Sequence, residues 1–428
     1  MSDLRNLLRI RDYRYLWTAQ VLSDFGDNLT FLTLLILIQR LTGSTVAIAG
    51  LLISIALPTL FFGALSGVYV DRVDRKKAMM VSDVLRGLVV LCFLFVRSAD
   101  LVPIIYLIAF VQASIGTVDN PARSAFLPAV VGTEKLLGAN SVSQTSRIVF
   151  NLLGTGAAGI LAASFDTLGP AFVIDSATFF ASFLLVGRIK TSGVPEKVGD
   201  ARVWADMKEG FAVMTSSRPL RAVLASLSVT MLGLGAVNVL FVPFLMNDLA
   251  VSEAFLGAIE ASQVAGLVIS GTVVAVLATR LRPSNLVSLG LIGVGVFVAA
   301  ISVAGAVWHV MVMLFFVGLS VGPVQAGANT LSQSLVDDSM RGRVGGAVNT
   351  LISAANITSM GLAGVAAAAI GTRNVFLAAG ALVLISGLIA YRLFRELRYS
   401  PSGAGSPAVP PQAIKSTASG ATMKTPTT

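Results

Sequence analysis

Apolar runs recur along this chain at lengths that fit lipid better than water. Phe31–Ile38, Leu51–Phe62, Leu88–Val96 and Val375–Leu388 are examples. With its flanks, each grows to about 20 residues, the length a helix needs to cross a bilayer. Only 12% of the 428 residues are charged, whereas a soluble domain carries about a quarter. That is too little charge to cover a water-soluble fold of this size, so lipid is the expected solvent for most of the chain.

The expected spans fall at 15–40, 46–70, 78–97, 101–121, 143–165, 168–188, 220–246, 253–279, 284–305, 308–330, 345–370 and 373–394. Basic residues test this independently, because short cytoplasmic loops are enriched in Lys and Arg. With the N-terminus in the cytoplasm, the inside segments hold 27 basic residues and the outside segments three, Arg40, Arg97 and Arg373. The remaining one, Arg86, falls inside the third span. This alternation predicts an all-α integral membrane protein with twelve transmembrane helices and both termini cytoplasmic. It also accounts for the net charge of +9 through anionic lipid headgroups, with no nucleic acid partner. Arg5, Arg9, Arg11 and Arg14 precede a run of spanning length without a small-residue cleavage site, so a retained first helix is expected rather than a secretory signal.

A long polar inside stretch separates six spans from six. Within it Trp204, Met207, Phe211 and Met214 recur at helical spacing and predict an amphipathic helix on the membrane surface. The last residues are rich in Ser, Pro, Gly, Ala and Thr, a composition expected to stay disordered. The expected units are thus a six-helix bundle over 1–188, a linker over 189–219, a second bundle over 220–398 and a tail over 399–428. The halves repeat weakly: shifted by about 207 residues, Arg14 and Gly26 fall on Arg221 and Gly233, and Gly63 and Arg72 fall near Gly271 and Arg280. Parallel six-helix repeats are a known transporter architecture.

Between the second and third spans stands Gly67-Val-Tyr-Val-Asp71-Arg72-Val-Asp74-Arg75-Lys76-Lys77. This resembles the loop signature of the major facilitator superfamily, Gly-x-Leu-Ala-Asp-Arg-x-Gly-Arg-Lys, with Asp74 where the pattern has glycine. Gly63 and Gly67, four apart on one face, would let another helix approach closely. Asp71 would then meet a helix N-terminus, with Arg72 and Arg75 as ion-pair partners, forming a cytoplasmic gate. Ser23–Asn28, Ser82–Arg86, Asn120–Pro128 and Gly138–Ser141 are similar to the drug:proton antiporter branch that includes macrolide-efflux proteins and the enterobactin exporter. That resemblance implies export powered by the proton gradient. The antiporter motif of the fifth helix is matched only loosely, by Gly154, Gly156 and Gly159 without a proline.

An ionisable side chain in hydrocarbon is costly, so each is a candidate site. Asp24 and Asp27 share a helix face with Asn28 near the midplane. Two carboxylates there do not both ionise easily, so Asp27, with Asp24, is expected to carry the coupling proton. Glu260 is a further proton-coupling candidate. Asp175, Asn28, Arg147 and Asn151 are candidates for the substrate cavity. Asp83 and Arg86, three apart, are expected to pair with each other.

Cys92 is the only cysteine and His309 the only histidine, so no intrachain disulfide, metal centre or catalytic triad is expected. No phosphate-binding loop occurs, so neither nucleotide nor other cofactor is expected; the energy source that the resemblance implies is the proton gradient. The leading reading is therefore a monomeric, non-enzymatic exporter of small molecules in the cytoplasmic membrane. An importer or lysophospholipid flippase on the same fold is the first alternative, and a transport-inactive scaffold or sensor the second.

The charge asymmetry predicts an accessibility pattern. In a Cys92→Ala background, a cysteine replacing Ser98 is expected to react with a membrane-impermeant maleimide in intact cells. A cysteine replacing Ser192 is expected to react only after permeabilisation; the reverse pattern would invert the topology.

Overall fold

The structure is a computed structural model that describes residues 7–195, 218–335 and 340–396, with the single positions 209, 212 and 215. The expected amphipathic helix around Trp204–Met214 and the tail from 399 lie outside the described residues. Thirteen long α-helices build the described chain. In order they are α1 (Arg11–Thr42), α2 (Thr45–Val70), α3 (Arg75–Leu91), α4 (Val102–Gly116), α5 (Asp119–Val131), α6 (Leu136–Ser164), α7 (Gly169–Gly187), α8 (Arg218–Pro243), α9 (Leu256–Ala278), α10 (Pro283–Ile301), α11 (Val307–Leu335), α12 (Arg341–Ile370) and α13 (Thr372–Glu396). They make twelve membrane-spanning segments, because α4 and α5 together form the fourth.

The observed ends lie within about one helical turn of the expected ones, with two exceptions. The fourth span runs on to Val131 and the fifth starts at Thr133, so the loop expected over 122–142 shrinks to a turn at Gly132, whose φ is +77°. Helices do not stop where hydrocarbon stops. A 33-residue span is far longer than the bilayer core, and its polar end extends past it.

Local sequence explains several junctions. Gly43 closes α1 in the left-handed conformation, φ 60°, that glycine adopts without strain, and the Ser44 hydroxyl then caps α2 at the Ala47 N–H. Asp74 caps α3 by accepting from the N–H groups of Lys76 (3.0 Å) and Lys77 (3.3 Å). Its φ of −63° needs no glycine, so the departure from the family pattern replaces a turn residue with a cap. The fourth span breaks at Thr117-Val118 because Pro121 has no N–H to give the Thr117 carbonyl.

The halves pack by the same plan. In the first, α1 packs on α6 and α7, α3 on α7, and α2 on α4. In the second, α8 packs on α12 and α13, α10 on α13, and α9 on α11. The weak repeat is physically real at one pair of glycines. A Cβ on Gly26 would come within 2.3 Å of the Thr178 hydroxyl of α7, and one on Gly233 within 2.8 Å of the Ala379 carbonyl of α13. Both glycines admit the equivalent helix of their own half.

Between the halves, α2 meets α12 and α6 meets α9. One apolar cluster, with Leu35 and Ile38 from the first half and Leu240, Ile259 and Ala363 from the second, joins them at the end that holds Arg40. At the basic end each half keeps its own cluster, around Tyr13 and Phe126 in one and Leu224 and Val344 in the other. The joined end is fastened by polar contacts too. Arg40 forms an ion pair with Glu253 and donates to the Ala162 carbonyl (2.6 Å), and Gln39 donates to the Asn247 side chain (2.9 Å). Helix contacts there are close: a Cβ on Gly257 would lie 2.4 Å from Gly156 Cα, and one on Gly364 3.0 Å from Val46 Cα. By contrast, Gly67, Gly345 and Gly346 at the basic end meet nothing within 4 Å. The structure is closed at the Arg40 end and open at the basic end.

Gly257→Leu is expected to disfavour this conformation, since backbone atoms of Gly156 cannot step aside. With Cys92→Ala, a cysteine replacing the buried Gln39 should then label faster from outside than it does with Gly257 intact. An unchanged labelling rate would mean that this glycine contact does not hold the end shut.

Candidate functional site

A cavity of about 800 Å³ opens at the basic end between the halves. The first half lines it with Asp24, Asp27, Arg86, Asp119 and Arg123, and α12 of the second half adds Asn349, Thr350 and Ser353. A smaller apolar recess of about 290 Å³ lies beside Asp27 and Arg86 and is lined by Asn28, Phe31, Phe93 and Gln112 among others.

Arg86 organises the wall. Its guanidinium forms ion pairs with Asp27 of α1 and, at 2.9 Å, with Asp119 of α5, and it lies over the Phe179 ring of α7 at 4.3 Å. Gly116 lies against it: a Cβ there would be in van der Waals contact, 3.4 Å from the guanidinium carbon. Because the fourth span breaks just after Gly116, Asp119 begins a new helix pointing its carboxylate at Arg86. The three side chains are not equally enclosed. Arg86 is 9% exposed and Asp119 14%, but Asp27 is 38% exposed and faces the open cavity.

This geometry corrects the expected pairing of Asp83 with Arg86. Asp83 is buried and accepts from the Ser182 hydroxyl at 2.7 Å, while Arg86 turns to Asp27 and Asp119. Three residues apart on a helix allows a contact but does not impose one; here two carboxylates on other helices face the guanidinium directly. The carboxylate beside Asp27 is likewise Asp119 across Arg86. Asp24 instead receives a long hydrogen bond from Gln20 (3.4 Å), and its backbone carbonyl accepts from Asn28 (2.6 Å).

Other expected site residues are placed differently. Asp175 is fully buried, accepts from Thr30 (2.5 Å) and Thr178 (3.3 Å), and ties α7 to α1 without lining the large cavity, the apolar recess or the pocket around Arg147. Glu260 sits near the Arg40 end, on α9 beside the contact of Gly257 with Gly156. Asn151 is exposed and lines none of those cavities. Arg147 lines a separate polar pocket and donates to Asn120 at 3.0 Å. Among the described residues, no cluster of three or more His, Cys, Asp or Glu side chains is arranged to hold a metal.

At the loop motif, Asp71 and Arg72 are exposed, and among the described residues no hydrogen bond or ion pair ties them to the second half. Arg75 does not pair with Asp71. It donates to the Ala125 carbonyl of α5 (3.0 Å), and Lys76 donates to the carbonyls of Gly187 and Ile189 at the end of α7. Those two basic residues therefore fasten the first half to itself.

Sequence reasoning missed Asp119. It lay within the expected fourth span, two residues before Pro121, and both facts marked an intramembrane acid at a helix break.

The family model described as transmembrane secretion effector, of the major facilitator type, matches residues 5–414. The chain belongs to this family. It is 24% identical to macrolide efflux protein A of Streptococcus pyogenes over 90% of this chain and 96% of that one. It is 27% identical to the multidrug efflux pump Tap of Mycolicibacterium fortuitum over 89% and 95%. Among solved structures, the nucleoside transporter NupG superposes with a TM-score of 0.74 at 10% identity, covering 89% of this chain and 98% of that one. The fold is that of a major facilitator transporter, a multi-pass membrane protein.

Breaking a buried ion pair from one side costs about 3–5 kcal/mol. Arg86→Met leaves Asp27 and Asp119 facing each other without a cation, so the melting temperature of detergent-purified protein should fall markedly at neutral pH. The deficit should shrink in acid, as the carboxylates protonate, and in the Asp27→Asn/Arg86→Met double variant. Equal stability of Arg86→Met and the unaltered protein at neutral pH would refute the pairing.

Proposed function

We propose that this transporter exports small molecules by alternating access in the cytoplasmic membrane, driven by protons taken up at Asp27. One observation carries the reading: a cation enclosed between two carboxylates, one of which faces the open cavity. Arg86 faces one more carboxylate than it can neutralise, so a proton on Asp27 removes the excess charge and releases the guanidinium to Asp119 alone. Redistributing Arg86 between α1 and α5 changes how two cavity-lining elements are held, which gives the proton leverage over conformation. Asp27 is the proton site because it is the most exposed of the three; Asp24 is an entry residue on the same wall.

With the basic end cytoplasmic, the open cavity faces the cytoplasm and the Arg40–Glu253 pair closes the outside. Opening outward must break that pair and bring Gly67, Asp71 and Arg72 against the second half, where they act as the cytoplasmic gate. The efflux activity in the names of two relatives supports the export direction. No nucleotide, metal or enzymatic step is needed in this cycle, and one chain holds the whole cavity.

Inverted vesicles carrying the protein are expected to accumulate a substrate found from a panel of a macrolide, a lipophilic cation and a siderophore when a proton gradient is imposed. Asp27→Asn should reduce gradient-driven accumulation by about tenfold or more while sparing exchange of labelled for unlabelled substrate without a gradient. Undiminished uphill transport with proton flux in Asp27→Asn would remove Asp27 from the mechanism.

A further inference from the structure

A second polar pocket, of about 450 Å³, is enclosed by α1, α5 and α6 within the first half. It adjoins the large cavity at Asn120 and Arg123, which line both. Its wall holds two guanidinium groups, Arg123 and Arg147, together with Gln20, Asn120, Asn140 and Ser143, and, among the described residues, no acidic one. Among the described residues, the Nε atoms of both arginines are buried without a hydrogen-bond partner. Arg147 donates to a neutral acceptor, the Asn120 side chain. The carboxylate whose charge reaches Arg123, that of Asp83, lies outside the pocket and is bonded to Ser182.

The contrast with Arg86 is what assigns the pocket. One arginine of this half is enclosed by two carboxylates, whereas the side pocket that these two share has none among its described lining residues. A guanidinium presents a planar fork of N–H donors that matches a carboxylate or phosphate group in paired hydrogen bonds. Two such forks at a cavity of ligand size, with no carboxylate among the described residues that line it, form an anion receptor.

We infer that Arg123 and Arg147 form a subsite that takes the carboxylate or phosphate group of an organic anion, and that the substrate carried by this transporter is therefore anionic or zwitterionic. The second clause rests on the export reading; the first does not. The anionic head occupies the side pocket, and the body of the molecule extends past Asn120 into the large cavity. There Asp24 and Asp27 repel the head, which fixes the orientation. An anionic lipid headgroup presents the same chemistry as a soluble anion, and the test separates the two sources.

Full-length protein in phosphatidylcholine nanodiscs is titrated calorimetrically with benzoate and with inorganic phosphate, and with tetraphenylphosphonium as a cationic control. Saturable binding of at least one anion is expected. Arg123→Gln and Arg147→Gln should each weaken it by about tenfold or more, with Arg→Lys falling between because lysine keeps the charge and loses the fork. Gln144→Glu, at an exposed position on the pocket wall, should also abolish anion binding without threatening the fold, and none of these changes should weaken tetraphenylphosphonium. In nanodiscs containing phosphatidylglycerol, native mass spectrometry reads bound lipid. Lipid adducts lost in the glutamine variants, without soluble-anion binding, support the subsite, assign it to a headgroup and overturn the substrate clause. Anion affinity unchanged in both glutamine variants, or neither soluble anion nor phosphatidylglycerol bound, overturns the proposal. The titration needs no gradient, so it reads the subsite even where Asp27→Asn has refuted proton-driven export.

Discussion

A guanidinium halfway along the third span cannot reach water at either end of its helix, so the protein has to bring its counter-charges to it. That requirement shapes the first half. The helix α1 supplies Asp27, α7 supplies the face of Phe179, and the fourth span breaks so that α5 can begin with Asp119. Gly116, just before the break, lies directly beside the guanidinium. Several otherwise separate features thus answer one electrostatic demand.

The same demand explains which parts of the molecule were legible in the sequence. Spans were legible because hydrocarbon thickness imposes one length on every crossing, and their direction because basic loops alternate across the membrane. The relation between halves was visible in Gly26 and Gly233, since close helix approach tolerates only a missing side chain. The site was only half legible. An intramembrane Asp or Arg announces that a partner exists, but the partner depends on which helices meet. Asp83 therefore looked like the partner of Arg86, and Asp119, four helical elements into the chain, did not. The motif loop divided similarly: its charges were evident, yet the tertiary contacts alone separate Arg75 and Lys76, which brace their own half, from Asp71 and Arg72, which are exposed.

The halves share a packing plan but differ in content. In the first half, Asp24, Asp27, Asp83, Arg86, Asp119 and Asp175 all lie within spans, while the second contributes Glu260 near one end and uncharged Asn349, Thr350 and Ser353 to the cavity. One half therefore holds the charged groups, and the other supplies a complementary wall against which they are covered or uncovered. The apolar cluster around Leu35, Ile38 and Leu240 joins the halves at one end, with the free space on the opposite side.

The trio of Arg86, Asp27 and Asp119 has an electrical consequence. With all three groups ionised, it carries a net charge of minus one deep in the membrane; with a proton on Asp27 it is neutral. Moving one elementary charge across the full membrane potential is worth about 2.3 kcal/mol per 100 mV. Any rearrangement that shifts this trio relative to the field is therefore voltage-sensitive in the deprotonated protein and indifferent to voltage in the protonated one. The membrane potential and the proton concentration difference would then act on different legs of the same cycle.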